Sequence, residues 1–354
     1  MYDLVIVGAG ITSATLCAKL KDRLKIVVLD TRAHLGGNCY DYLSSGTYVH
    51  QYGPHIYHDK SPERVAFLGK YTNWVPYAHS VTAEVLLQGQ VRQCSFPYSQ
   101  QAAGELGVAL APEEVISTFF HGYSSKMWGC SWDQLPASVK GRVPKDTKDK
   151  PSYFPDQFVG LPDQGYTGML AKMFDGVEML LGAPPNLWTE IAARRIVYCG
   201  RPDRVPVRGD PAKRVYGNLA RGTLGAHWLE YRSLDFTWRL ADWGVSTPVL
   251  NFCDAANPYT RATHYANLTG GRSRVVGYER PRSAPVTELA PFYPMPTQEN
   301  HSLHELLRSM IAHDYPELIL AGRLGTSRYL DMNAAVGAGL VLAEELEGSL
   351  LARY

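Results

Sequence analysis

Met1-Tyr2-Asp3-Leu4-Val5-Ile6-Val7-Gly8-Ala9-Gly10-Ile11-Thr12-Ser13 opens the chain. Ala14 to Leu20 then has helical spacing, and Leu24-Lys25-Ile26-Val27-Val28-Leu29 ends in Asp30. The order is apolar strand, glycine turn, helix, second apolar strand, acid. Gly8 and Gly10 let a diphosphate approach bare backbone N–H groups, and the positive end of the helix behind them favours its charge. Ser13 takes the third small position, where close helix–strand packing is still allowed. Asp30 falls about twenty residues past the turn, where a carboxylate can accept hydrogen bonds from a ribose. The stretch predicts a dinucleotide-binding βαβ unit rather than an ordinary βα turn.

Thr31-Arg32-Ala33-His34-Leu35-Gly36-Gly37-Asn38 follows at once. A plain NAD site does not need an arginine and a glycine pair just past the ribose acid. They recur in flavoproteins of the glutathione-reductase-like class, where this loop closes over the adenosine diphosphate. A glycine-rich surface loop is the plainer alternative. Arg32, Gly37 and Asn38 therefore join Gly8, Gly10, Ser13 and Asp30 as expected cofactor contacts.

A chain of 354 residues exceeds one simple core, so two or three domains are expected. The formal net charge is +1, which gives no global field toward nucleic acid or an anionic membrane. No apolar stretch is long enough to span a bilayer, and the start has neither a basic region nor a cleavage site. A cytoplasmic protein is expected. None of the six cysteines forms a C-x-x-C pair, so buried free thiols are expected rather than disulfides or a metal centre. His55-x-x-His58 lacks a nearby cysteine or acid partner, and flavin contact or core packing explains it better than metal. The 22 tyrosines and 7 tryptophans are unusual; some should line a wet, polar cleft.

Farther along, residues 78–94 alternate as strands around a turn at Gly89, and Ser99 to Val139 turns helical. Gln134 to Lys150 carries Lys140, Arg142, Lys145, Lys148 and Lys150, either as a solvated charge run or as a mobile basic flap over an anion. Leu229 to Tyr278 is β-rich. Leu318-Ile319-Leu320-Ala321 reads as a strand, followed by Gly322-Arg323-Leu324-Gly325 and a small-residue helix, Asn333 to Leu346. The expected fold is α/β: an FAD-binding Rossmann-like domain of the glutathione-reductase kind, an antiparallel β-sheet domain and a small helical insert. Residues 1–75, 160–205 and 315–354 are assigned to the first, 76–98 and 206–314 to the second, and 99–159 to the insert, with the flap at about 134–148.

At this point the motifs resemble the bacterial UDP-galactopyranose mutase family, nearly end to end and in order. Beyond the opening unit, the carriers include Gly36-Gly37-Asn38-Cys39-Tyr40-Asp41 and Tyr52-Gly53-Pro54-His55-Ile56-Tyr57-His58. Others are Gly122-Tyr123-Ser124-Ser125-Lys126-Met127-Trp128-Gly129, Gly160-Leu161-Pro162-Asp163-Gln164-Gly165-Tyr166-Thr167 and Tyr231-Arg232-Ser233-Leu234. Pro258-Tyr259-Thr260-Arg261 and the run from Gly322 to Met332 complete the set.

The resemblance implies FAD, active when reduced and primed by a reductant, with no metal. It implies isomerisation of a UDP-hexose between pyranose and furanose rings, through a flavin N5–sugar adduct and without net redox change. By that pattern, Arg142 and Arg323 match the two diphosphate arginines, whose planar forks suit phosphate oxygens. His55 and His58 lie near the flavin ring. Gly322, Asp331 and Met332 match cofactor contacts. Phe119, Phe120 and Tyr123 match the residues that sandwich the uracil, with Asn251 and Arg232 beside it. Trp128 stands on the flap side, while Tyr153, Tyr278 and Tyr329 match phosphate-binding phenols, with Phe154 next to the first. Family members are often homodimers.

Ser124 and Met127 replace the family's threonine and glutamine, His121 stands where apolar residues are common, and Ser327 replaces a frequent tyrosine. These departures leave open a mutase acting on a different nucleotide sugar. An amine-oxidase-like FAD oxidoreductase is the alternative from another class, and a flavin-free nucleotide-sugar binder is a third. Two cations at the flavin speak against an amine substrate.

Overall fold

The computed structural model describes residues 1–141, 143, 153–209, 215–219, 228–283 and 290–351. Arg142, Lys145, Lys148 and Lys150 lie outside the described residues, and of the five cations of the expected basic flap only Lys140 is described.

The opening strand, Tyr2–Val7, sits at the centre of a five-stranded parallel sheet. Its spatial order is Glu178–Leu181, Ile26–Asp30, Tyr2–Val7, Ala193–Tyr198 and Leu318–Leu320. A parallel sheet covered on both faces needs strands that are apolar throughout, which is why these runs do not alternate. Leu4, Ile6 and Val28 face helices Ile11–Leu20, Gly165–Phe174 and Met332–Leu351. Val5, Val27, Leu29 and Ile196 face Trp188 and the helix Gln298–Asp314.

That helix corrects one expected boundary. Leu303, Leu307 and Ile311 belong to the core of the parallel sheet, although residues up to 314 are assigned by sequence to the sheet domain. The sequence reading did not recognise the 17-residue helix as a separate element. The small-residue C-terminal helix packs closely on another helix: a Cβ at Gly339 would fall 2.9 Å from the Thr15 Cβ.

The larger second sheet has seven strands, in the order Tyr293–Pro294, Tyr231–Leu240, Val275–Ser283, Arg261–His264, Val249–Phe252, Val81–Leu87 and Gln90–Phe96. It is mixed rather than wholly antiparallel, because Val249–Phe252 pairs in parallel with Val81–Leu87. Gln88 (φ 52°) and Gly89 (φ 75°) close the last hairpin, a turn whose twist matches that of its strands. Tyr57–Asp59, Phe158–Pro162 and Trp74–Pro76 form a separate three-stranded sheet, so the expected end of the insert at 159 falls inside a strand. The insert is helical as expected: Gln100–Leu106, Pro112–Val115, a single wide turn over Ile116–His121, and Gly122–Trp128.

Candidate active site

A cavity of about 540 Å³ opens at the carboxyl ends of the parallel strands. It is lined by Gly8, Gly10, Ser13, Asp30, Arg32, Gly37, Asn38, Gly322, Asp331 and Met332, together with His55 and Arg323. Local backbone explains the shape. Gly8 has φ 106°, and a Cβ there would meet the Cys199 Cβ at 3.1 Å. A Cβ on Gly37 would fall 3.0 Å from the Gly10 Cα, so only glycine keeps this cradle open. Asp30 accepts from the Ala9 N–H at 2.7 Å and from the Arg32 N–H at 2.8 Å, which fixes its carboxylate at the rim. The Arg32 guanidinium donates to Asn38 Oδ1 at 3.0 Å and lies 4.4 Å from the centre of the Tyr52 ring. The start of helix Ile11–Leu20 faces the cavity through Gly10, Ile11, Thr12 and Ser13. A glycine cradle, a helix start and a fixed carboxylate together fit a dinucleotide with its diphosphate at the helix start.

His55 Nδ1 donates to the Gly53 carbonyl at 2.8 Å, so Nε2 keeps a lone pair. Burial, aided by His50 and the Arg323 charge, lowers its pKa to about 3, so the ring is neutral. His58 lines neither this cavity nor the next. Its Nδ1 lies 2.6 Å from Asp156 Oδ2, and its ring stacks on Phe154 at 4.1 Å. Phe154 in turn faces His79, at 5.5 Å between ring centres.

The second cavity, of about 420 Å³, is aromatic. Phe119, Phe120, Tyr123, Trp128, Tyr153, Asn251 and Tyr329 line it, with Phe96, Ser124 and Cys253. The insert supplies one wall through the wide turn and the helix that follows, and the strand Val249–Phe252 supplies Asn251. Burial raises the phenol pKa of Tyr123 to about 12 and raises that of Tyr153, so both remain hydrogen-bond donors.

Three sequence candidates point elsewhere. Arg232 is buried and caps a helix, Nε donating to the Met127 carbonyl at 2.7 Å and Nη2 to that of Lys126 at 2.9 Å. Tyr278 packs against Tyr259 at 5.3 Å between ring centres, under the Arg239 guanidinium. Phe154 belongs to the His58–His79 stack.

Arg323 sits at the seam. Its Nε and Nη2 donate to the Leu330 carbonyl at 3.1 and 2.6 Å, and Nη1 reaches the Phe292 carbonyl at 3.4 Å. The described residues give it no carboxylate partner. It lines the first cavity, while Tyr329, whose ring it touches, lines the second. Sequence reasoning passed over a second cation here. Arg261 pairs with Glu279 on the neighbouring strand, Nε to Oε2 at 3.3 Å, and Glu279 is buried. The Arg261 charge lowers the proton affinity of His55, His79, Tyr123 and Tyr153, so it acts on residues of both cavities. It lies within a quoted stretch, but its acid partner is apparent only from strand register.

A family profile described as UDP-galactopyranose mutase matches residues 118–329, more than half of the chain and the span from Phe119 through Tyr329. The chain belongs to the UDP-galactopyranose mutase family. It is therefore a nucleotide-sugar mutase, an isomerase. A second profile, NAD(P)-binding Rossmann-like domain, matches residues 6–71. The chain is 29% identical to a UDP-galactopyranose mutase of Mycoplasma pneumoniae, over 98% of this chain and 96% of that one. It is 27% identical to a dTDP-fucopyranose mutase of Escherichia coli, over 97% of this chain and 98% of the other. The structure of reduced UDP-galactopyranose mutase superposes with a TM-score of 0.70 at 12% identity, covering 99% of this chain and 96% of that one, which establishes a shared fold. Among the described residues no helix is long and apolar enough to cross a membrane.

Proposed function

We propose that the chain interconverts UDP-galactopyranose and UDP-galactofuranose, with reduced FAD in the glycine-lined cavity and the UDP moiety across the aromatic one. The observation that carries this reading is the contact between Arg323 and Tyr329, which puts a guanidinium where the two cavities meet. Reduced FAD would supply the nucleophile that holds the sugar while UDP is detached, and an external reductant would prime it.

The chain's own task is to stabilise a departing diphosphate and keep it for return. Arg323 suits this: carbonyls orient its fork, and N–H donors remain on both terminal nitrogens. Tyr329 and Tyr153 stand ready to donate to phosphate oxygens, and Arg142 joins them on the resemblance alone. Neutral His55 adds no charge that would compete for the anion. Phe119, Phe120 and Tyr123 offer faces for a base, and Asn251 offers an amide for its edge. A homodimer rests on the resemblance alone.

The likeness to the dTDP-fucopyranose mutase favours a second reading, a thymidine nucleotide carrying a deoxy sugar. Dithionite-reduced enzyme incubated separately with UDP-galactopyranose and dTDP-fucopyranose, with products resolved by anion-exchange chromatography, separates the two. A furanose product from the first supports the proposal. Product only from the second transfers it to the thymidine sugar, and no product from either removes both.

A further inference from the structure

We propose that Lys126 is a positioning residue for nucleotide binding: its ammonium group clasps the helix Gly122–Trp128 to the sheet and thereby sets Tyr123, Ser124 and Trp128 in the aromatic cavity. This rests on the reading that the aromatic cavity takes the nucleotide.

The Lys126 Nζ donates to three backbone carbonyls, of Phe252 at 2.8 Å, Asp254 at 2.7 Å and Tyr259 at 2.8 Å. Every N–H of an ammonium group is thereby used, and every acceptor is a peptide oxygen. The three carbonyls belong to the end of strand Val249–Phe252, which carries Asn251, and to the connection leading to Arg261–His264. One turn earlier the helix backbone rests on the same connection. A Cβ at Gly122 would fall 2.2 Å from the Cys253 carbonyl oxygen, so no other residue fits there. Residues four apart lie on one helix face, so Gly122 and Lys126 form one seam. Arg232 secures the far end through the Lys126 and Met127 carbonyls. The helix is held by two cations, while Tyr123, Ser124 and Trp128 reach the cavity.

The clasp requires its proton. A neutral amine has two N–H donors and a lone pair, and in this crown the lone pair would face a carbonyl oxygen. The groups around it are the Cys253 thiol, pushed up to about 12 by burial and so neutral, and the carboxylates of Asp254 and Glu84. Arg232 adds a guanidinium from strand Tyr231–Leu240. Burial lowers the Lys126 pKa to about 8, so the clasp is complete below that value and loosens above it.

The test compares wild type, Lys126→Arg and Lys126→Met as flavin-loaded enzyme between about pH 6.5 and 9.5. UDP affinity is read by calorimetry, and KM and kcat by turnover. For wild type the proposal expects UDP affinity to fall and KM to rise by roughly ten-fold through about pH 8, with kcat little changed. Lys126→Arg keeps its charge throughout and loses that alkaline limb. Lys126→Met binds UDP roughly ten-fold more weakly at every pH with normal flavin content. Wild-type affinity in Lys126→Met, or an unchanged alkaline limb in Lys126→Arg, overturns the proposal. If Lys126→Met does not fold, the Lys126→Arg profile decides. Failure of wild type to bind UDP at neutral pH removes the functional reading and this inference with it; normal binding with indifferent variants removes the inference alone.

Discussion

The Arg323 guanidinium lies 5.2 Å from the centre of the Tyr329 ring and 5.3 Å from the Tyr293 ring stacked against it. Arg323 stands on a glycine turn behind the last parallel strand, and Tyr329 follows six residues later. One short segment thus connects the dinucleotide cavity to the aromatic one, with a cation held by carbonyls between them.

Arg323→Ala should lower kcat by about 10²–10³-fold, the usual cost of removing a preorganised group that stabilises developing charge. Flavin content, read from the visible absorbance of the purified protein, should stay near wild type. Turnover within a few-fold of wild type would mean the diphosphate lies elsewhere.

Phe120→Ala should weaken UDP binding by roughly ten-fold, within the range for loss of one base–aromatic contact. Calorimetric titration with UDP checks it, and uridine alone should show the same loss. Equal affinity of variant and wild type would take the base out of this cavity.

Arg232→Ala tests a role that differs from the sequence expectation. If Arg232 caps the helix rather than touching the base, the variant leaves two carbonyls without their charged donor and should lose about 1.5–3 kcal/mol of stability. Urea denaturation reads this loss. A normal unfolding midpoint combined with weakened UDP binding would restore the base-contact role.

Acid should destabilise the protein through buried neutral histidines. Burial lowers His50 and His55 to about 3 and His79 to about 4, whereas an exposed histidine titrates near 6.5. Between these values the unfolded chain binds more protons, so stability falls as pH drops from about 6.5 toward 4. Each proton contributes at most about 1.4 kcal/mol per pH unit. The urea midpoint should decline over that window, and His50→Asn, which keeps an acceptor for the His55 N–H, should flatten the decline. A midpoint independent of pH there would contradict the burial of these rings.

The dinucleotide half was the most legible in sequence. Its strands are continuous apolar runs, and Gly8, Gly37 and Asp30 sit where backbone geometry demands them, so local chemistry and fold agree. The helix Gln298–Asp314 does carry helical spacing, at Leu303, Leu306, Leu307, Met310 and Ile311, but that spacing says nothing of which sheet it covers; its place on the parallel sheet follows from partners as distant as Val5 and Trp188. Long-range pairing hid the Arg261–Glu279 contact, which exists only through strand register. Arg232 is instructive in the opposite sense. Its motif suggested a base contact, yet its side chain is held by the Lys126 and Met127 carbonyls, supporting the wall of the cavity from behind.

The most direct test is a crystal structure of the reduced, flavin-loaded enzyme with bound UDP. We predict phosphate oxygens within hydrogen-bonding distance of the Arg323 guanidinium and the uracil among Phe119, Phe120 and Tyr123. A nucleotide bound with Arg323 well beyond reach of its phosphates would contradict the account.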